Sequence, residues 1–277
     1  MPNMTEQQLT DEVVQRLDAT FNDRLREVMQ SLVRHLHAFA REVRLTESEW
    51  MAGIQFLTAT GRITDDKRQE FILLSDTLGL SSLVEMITHA SAQEVTESTI
   101  LGPFYLPDAP WRENGDSIEV GDVGGQKAVV SGTVRDTEGL PISGAIVDVW
   151  QTAPNGLYDI QDPEQPEFNL RGRFRTDADG GYRFASVRPA DYPIPDDGPV
   201  GKLLAETGRH PWRAAHIHVK VSAEGFAPLT THLFDSESKY LHSDTVFGVK
   251  DSLVREFVGQ PDGTCALHTD FVLDRDG

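Results

Sequence analysis

Arg213-Ala214-Ala215-His216-Ile217-His218-Val219-Lys220-Val221 decides how this 277-residue chain is read. Apolar and polar residues alternate at its end, as in a half-buried strand, and the step of two projects both imidazoles from one face of a sheet. Two such imidazoles are ready metal ligands, although a histidine on a sheet also serves as an ordinary hydrogen-bonding residue. Short β-rich runs recur at 127–134, 145–151, 182–187 and 230–234, separated by clusters of Gly, Pro and Asp. That spacing predicts an antiparallel β-sandwich.

Upstream of residue 100 the period changes. Leu17, Phe21, Leu25, Val28, Leu32, Leu36, Phe39 and Val43 recur at steps of three and four, which predicts one long amphipathic helix. Thr46-Glu47-Ser48-Glu49 resembles a capping box opening a second helix through Trp50, Ile54 and Leu57, with Gly61 ending it. A third helix is expected from Asp65 to Leu78 and a fourth from Ser81 to Ala90, either side of the break at Gly79. The fold class is therefore α+β: a helical N-terminal domain, 1–104, followed by a β-sandwich domain, 105–277.

Composition excludes several classes of partner. Against 44 Asp and Glu stand 25 Lys and Arg, a formal charge of -19, which disfavours nucleic acid and anionic membranes as partners. No apolar run reaches membrane-spanning length, and Met1-Pro2-Asn3-Met4 opens neither a basic nor an apolar leader, so a cytoplasmic protein with no membrane insertion is expected. Cys265 is the lone cysteine, which precludes an intrachain disulfide and excludes the usual zinc-sulfur clusters.

Two tyrosines are candidates to join the histidine pair. Tyr158 follows the turn Pro154-Asn155-Gly156-Leu157, and Tyr192 lies between prolines that restrict the backbone around it. Each phenol would otherwise pack in a core with its hydroxyl on a neighbour. A ferrous site of two histidines and one carboxylate stays open on composition, but no carboxylate stands at a recognisable spacing from His216.

Taken together, Trp150-Gln151, Asn155-Gly156-Leu157-Tyr158, Arg171-Gly172-Arg173-Phe174-Arg175, Arg188-Pro189, Tyr192-Pro193, Asp197-Gly198-Pro199 and Arg213 with His216-Ile217-His218 resemble the intradiol ring-cleavage dioxygenases. The resemblance covers roughly the last two-thirds of the chain. Ala214 stands where many members have proline, which changes no ligand. The resemblance implies a non-haem Fe(III) held by Tyr158, Tyr192, His216 and His218, a donor set of hard phenolates that suits the ferric ion. It also implies that Tyr192 is the exchangeable ligand that accepts a substrate proton, and that Arg213 stabilises negative charge on a small aromatic diol or triol as O2 is added. As an alternative, Arg213 pairs with one of the many carboxylates.

Thr230-Thr231-His232-Leu233-Phe234 and Tyr240 to Lys250 look most like the members that cleave hydroxyquinol. That likeness sets Leu73, Asp76, Ile100, Leu101, Gly102, Pro103, Ile194, Pro195, Arg213 and Val246 around the ring and His232 behind the metal. Asp76 is the discriminating residue, since a carboxylate accepts a bond from a third hydroxyl, whereas on a solvated helix it would do nothing of the kind. The family further implies a homodimer paired through helical N-terminal segments and allows a bound lipid at that interface. Cleavage of catechol or chlorocatechol by the same site, and a non-catalytic sandwich that binds a ligand or protein, remain the alternatives.

Overall fold

The structure, a computed structural model, describes residues 4–65, 67–89 and 94–276. It divides into two compact units, Met1–Ala59 and Thr60–Gly277.

In the first unit α1, Glu6–Arg16, opens with a capping box between Thr5 and Gln8. Helix α2, Asp23–Glu42, starts on Asn22, whose side chain accepts the Leu25 N–H at 2.8 Å. The one long helix expected from Leu17 is therefore two helices, parted by a short 3-10 turn, Leu17–Ala19, and by extended Thr20. Asp18, Thr20 and Asn22 explain the break, because short polar side chains compete with helical bonding and favour caps. Thr10 is buried between the two helices, its hydroxyl 2.9 Å from His37 Nδ1 and accepting Arg41 Nη1 at 2.8 Å. Leu32, Leu36 and Phe39 on α2 are about half exposed. Helix α3, Glu47–Arg62, begins on the expected capping box, Thr46 Oγ1 taking the Glu49 N–H and the Glu49 carboxylate taking the Thr46 N–H, and it continues through Gly61.

The second unit holds two further helices before its strands. Helix α4, Glu70–Thr77, starts five residues later than expected, because Asp65 Oδ1 accepts the N–H groups of both Lys67 and Arg68 at 2.8 Å and holds that stretch in a turn. Gly79, at φ 73°, turns the chain into α5, Leu80–Thr88; Ala90, the expected end of this helix, lies outside the described residues. Among the described residues no single helix is long and apolar enough to cross a membrane.

The strands are β1 Lys127–Asp136, β2 Ile146–Trp150, β3 Arg171–Arg175, β4 Gly181–Val187, β5 Tyr192–Pro193, β6 Trp212–Arg213, β7 His216–Ser222, β8 Leu229–Asp235, β9 Val254–Arg255, β10 Val258–Gly259, β11 Cys265–His268 and β12 Phe271–Leu273. Helix α6, Pro199–Glu206, lies between β5 and β6 and has a proline in its first turn, where the missing N–H costs nothing. One five-stranded sheet runs β10-β11-β1-β12 with β4 also on β1; the other runs β3-β2-β7-β8-β9. The sandwich is mixed rather than antiparallel throughout, since β1 pairs in parallel with β11 and β12 and β8 in parallel with β9. The β1 pairs form because the C-terminal chain returns from a distance to run beside β1, and β9 likewise comes back to β8 after a long connection, so neither needs a hairpin.

Parity along the strands positions the site. Ile217, Val219 and Val221 of β7, Val147 and Val149 of β2 and Leu233 of β8 enter the core between the sheets with Val130, Phe174, Phe184 and Phe271. His216 and His218, Trp150 and Asp148, and His232 and Phe234 consequently occupy the opposite face of the second sheet. There Trp150 and His232 stand directly across from His218 on its two flanking strands. All of these side chains are buried, because loops cover that outer face.

Candidate metal centre

His216 and His218 point the same way from β7, their Nε2 atoms 3.1 Å apart. The His216 Nδ1 lies 2.6 Å from the Ala214 carbonyl, which can only accept, so Nδ1 carries the proton and Nε2 presents a lone pair. Burial holds His216, His218 and His232 well below the ordinary imidazole pKa, so all three rings are neutral, the protonation state a metal ligand needs. These three histidines form a buried cluster that could hold a metal ion, with one nitrogen from each lying within 4.8 Å of the others.

Both tyrosines reach the same place from loops. The turn before Tyr158 is closed by Gly156, at φ 84°, where an added Cβ would lie 3.2 Å from the Tyr192 Cβ; glycine is required by both conformation and contact. Tyr192 sits on β5, directly across from Arg213 on β6. Asp191 ties this loop to the head of β7 by accepting the Ala215 N–H at 2.9 Å. The result is a continuous chain of donors: Tyr158 Oη is 2.9 Å from His218 Nε2 and 3.2 Å from Tyr192 Oη. Two ligands about 2.05 Å from one ion at right angles lie about 2.9 Å apart, so this spacing fits four atoms around one cation. Burial pushes the Tyr158 phenol well above its usual pKa, and the Tyr192 phenol beside it adds to this. A phenolate here therefore needs a cation within bonding distance.

The aromatic wall fixes the rings. Trp150 stacks on His218 and Phe104 leans on Tyr158 with centroids 4.7 Å apart. Gly102 lies against His218, since a Cβ there would be 3.3 Å from the imidazole Cε1. The His232 Nδ1 meets the Thr99 hydroxyl at 2.5 Å.

Next to the donors is a cleft of about 480 Å³, lined in part by Leu73, Pro103, Phe104, Ile194 and Pro195. Leu73, Ile100, Ile194 and Val246 pack into one apolar cluster with Val200 and Leu204 of α6. Asp76 on α4 is buried, its carboxyl pushed up by that burial while the Ser81 hydroxyl and the Arg213 charge oppose the shift. Of the residues expected around the ring, Leu73, Pro103, Ile194 and Pro195 line this cleft, whereas Asp76, Ile100, Leu101, Gly102, Arg213 and Val246 do not, and Leu101 is 40% exposed. Arg213 is buried, with Nη1 3.1 Å from His216 Nε2 and 3.4 Å from Tyr192 Oη. Sequence reasoning passed over Asp244, Thr99 and the stacking role of Trp150. The only signal for Asp244 was its place in the stretch from Tyr240 to Lys250.

Two tyrosines and two histidines thus converge on the outer face of a mixed sandwich. Residues 100–275 match the family described as Dioxygenase and residues 22–96 match Catechol dioxygenase N terminus. The chain belongs to the intradiol ring-cleavage dioxygenases and is an enzyme of that family. It is 48% identical to the 6-chlorohydroxyquinol 1,2-dioxygenase of Cupriavidus pinatubonensis over 99% of both chains. It is 50% identical to a hydroxyquinol 1,2-dioxygenase of Rhodococcus opacus, over 94% of this chain and 86% of that one. The crystal structure of a hydroxyquinol 1,2-dioxygenase from Pseudomonas putida superposes with a TM-score of 0.91 at 46% identity, covering 98% of this chain and 99% of that one.

Proposed function

We propose that this chain is a hydroxyquinol 1,2-dioxygenase, cleaving benzene-1,2,4-triol with O2 between its two adjacent hydroxylated carbons. The product is 3-hydroxy-cis,cis-muconate, the enol form of maleylacetate. The observation that carries this reading is a buried carboxylate, Asp76, that feels the Arg213 charge and shares α4 with Leu73 of the apolar cluster, in a chain whose relatives include hydroxyquinol 1,2-dioxygenases.

Tyr158, Tyr192, His216 and His218 are the proposed ligands of a non-haem Fe(III), a donor set of two hard oxygens and two imidazoles that suits that ion. Bound ferric ion supplies the Lewis acidity and the electron-accepting centre that make a chelated diol reactive toward O2. Tyr192 accepts one substrate proton at its phenolate oxygen. Arg213 faces the charge that develops on substrate, and its Nη2 is buried with no hydrogen-bond partner among the described residues, leaving a donor for an oxygen anion. Asp76 accepts the bond from the third hydroxyl, while Leu73, Ile100, Gly102, Pro103, Ile194, Pro195 and Val246 exclude water from the ring, with Leu101 at their margin. His232 stands behind the ligand histidines.

The helical residues 1–104 are proposed to pair two copies in the cytoplasm, with a lipid bound at their interface. The half-exposed Leu32, Leu36 and Phe39 support that reading. Oxygen uptake on hydroxyquinol, catechol and chlorocatechols, together with iron analysis of the purified protein, tests the function. The expected result is one iron per chain, a wine-red phenolate band and highest kcat/KM on hydroxyquinol. Preference for catechol would reassign the substrate, and colourless iron-free protein with no uptake would favour a binding module.

A further inference from the structure

Arg213 has no freedom at its inner end. Its Nε faces Asp244 Oδ1 at 3.3 Å, and the same carboxylate oxygen accepts the Ala214 N–H at 3.3 Å. The other oxygen, Oδ2, accepts the Gly248 N–H at 2.9 Å. Asp244 is itself buried, so one carboxylate joins the guanidinium, the approach to β7 and the turn 244–248. Phe247 closes that turn by donating its N–H to Asp244 O, and it is held from outside by the Thr245 N–H on Trp212 O and by Arg209 Nη2, which reaches Thr245 O at 2.7 Å. At its end a Cβ on Gly248 would lie 3.0 Å from Arg213 Nη2, so the guanidinium occupies the space a side chain would fill. The turn also carries Val246 of the apolar cluster.

The outer end of Arg213 is differently placed. Its Nη1 lies on the His216 Nε2 lone pair, the same lone pair that a metal ligand must give up to the metal. Occupation of that lone pair by a cation removes this Nη1 contact and leaves the guanidinium held through Nε on Asp244, with only the longer 3.4 Å approach of Nη1 to Tyr192 Oη beside it. From this geometry we infer that Asp244 is the positioning residue for Arg213, and that Asp244 with Gly248 forms a cradle keeping the guanidinium aimed at the reacting oxygens when His216 is engaged by metal. The inference rests on the role proposed for Arg213 above. Asp244 does not touch substrate; it acts through the arginine, so its effect belongs in turnover rather than in metal or substrate affinity.

A double-mutant cycle on the iron-loaded enzyme tests it. Asp244→Asn, Arg213→Ala and the double variant are compared for kcat, KM on hydroxyquinol, iron content and the visible phenolate band. Asp244→Asn is expected to keep iron and band, hold KM within about threefold and lose roughly tenfold or more in kcat. In the Arg213→Ala background the same change is expected to cost nothing further. Gly248→Ala, which leaves every charge in place but crowds Nη2, is expected to follow the same pattern and carries the cycle if Asp244→Asn fails to fold. Additive losses, or wild-type kcat in Asp244→Asn beside a damaged Arg213→Ala, would overturn the positioning role while leaving the arginine's own role standing. An Arg213→Ala enzyme with normal turnover would remove the arginine reading itself, and this inference with it.

Discussion

Trp150 lies flat on the His218 imidazole, ring centroids 4.7 Å apart and planes 9° from parallel. The contact follows from register, because residue 150 of β2 is directly across from residue 218 of β7 on the outer face of the sheet. Tyr105 meets the indole at 4.9 Å, so a proposed ligand is braced by two rings in succession.

Trp150→Ala should therefore cost both stability and metal. Removing a fully buried indole typically costs about 3–5 kcal/mol, and the freed His218 ring loses the wall that orients it. Urea unfolding and iron analysis check the two effects. Trp150→Phe, which keeps a ring against His218, should retain most of its iron; equal iron loss in both variants would show that stacking is not what holds the ligand.

Tyr158→Phe and Tyr192→Phe should part company. Tyr158 Oη touches His218 Nε2 and Tyr192 Oη at once, so its loss should strip iron and the visible band. Tyr192→Phe should keep more iron yet lose most turnover, since the substrate proton then has no phenolate to go to. Wild-type turnover in Tyr192→Phe would refute the proton-accepting role, and full iron in Tyr158→Phe would remove that residue from the ligand set.

Asp76→Ala should shift specificity rather than abolish activity. A lost hydrogen bond to the third hydroxyl costs about 1–3 kcal/mol, so kcat/KM for hydroxyquinol relative to catechol should fall by roughly tenfold. Iron content should be unchanged. An unchanged ratio would return the carboxylate to a purely structural place on α4.

Asp148 sets a pH dependence of stability. Its carboxyl is pushed up to about 6 by burial, against the opposing Tyr105 hydroxyl and the Arg173 and Lys220 charges. The folded state thus holds this proton more tightly than the unfolded chain. The associated stability is full below the unfolded pKa of 3.8 and is lost as pH rises through about 6. Above that pH the buried charge is a standing penalty of at most about 3 kcal/mol. Asp148→Asn keeps an acceptor for Tyr105 but removes the charge, so its melting temperature relative to wild type should be higher at pH 8 than at pH 4.5. A difference that does not change with pH would show that the carboxyl titrates normally.

The histidine pair was legible from its step of two and β1 and β4 alternate in burial, whereas β2, β7 and β8 are buried on both faces and showed only as β-rich runs between Gly, Pro and Asp clusters. Two-residue β5 and β6 carry no period at all, although their pairing sets Arg213 beside Tyr192. The return of β11 and β12 beside β1 is decided by chain ends far apart in sequence, so nothing local announces its parallel sense. Asp65 read as an early helical residue, but its side chain found the Lys67 and Arg68 amides and made a turn instead. The ligand residues stood out as Tyr and His, whereas Asp244 was one acid among 44 Asp and Glu until its three contacts were seen.

Helices α4 and α5 belong to the same compact unit as the strands, with the boundary after Ala59 rather than at the helix-to-strand change. Recombination between related enzymes is therefore not neutral to the joining point. A hybrid crossed over at 59 inherits Leu73, Asp76 and Ile100 together with the loops they face, and its pocket comes from a single parent. One crossed over at 104 takes those three from one ancestor and Ile194, Val200 and Val246 from the other, splitting an apolar cluster that packs as one body. On the roles proposed for Leu73 and Asp76, the inheritable module of substrate choice begins in α4.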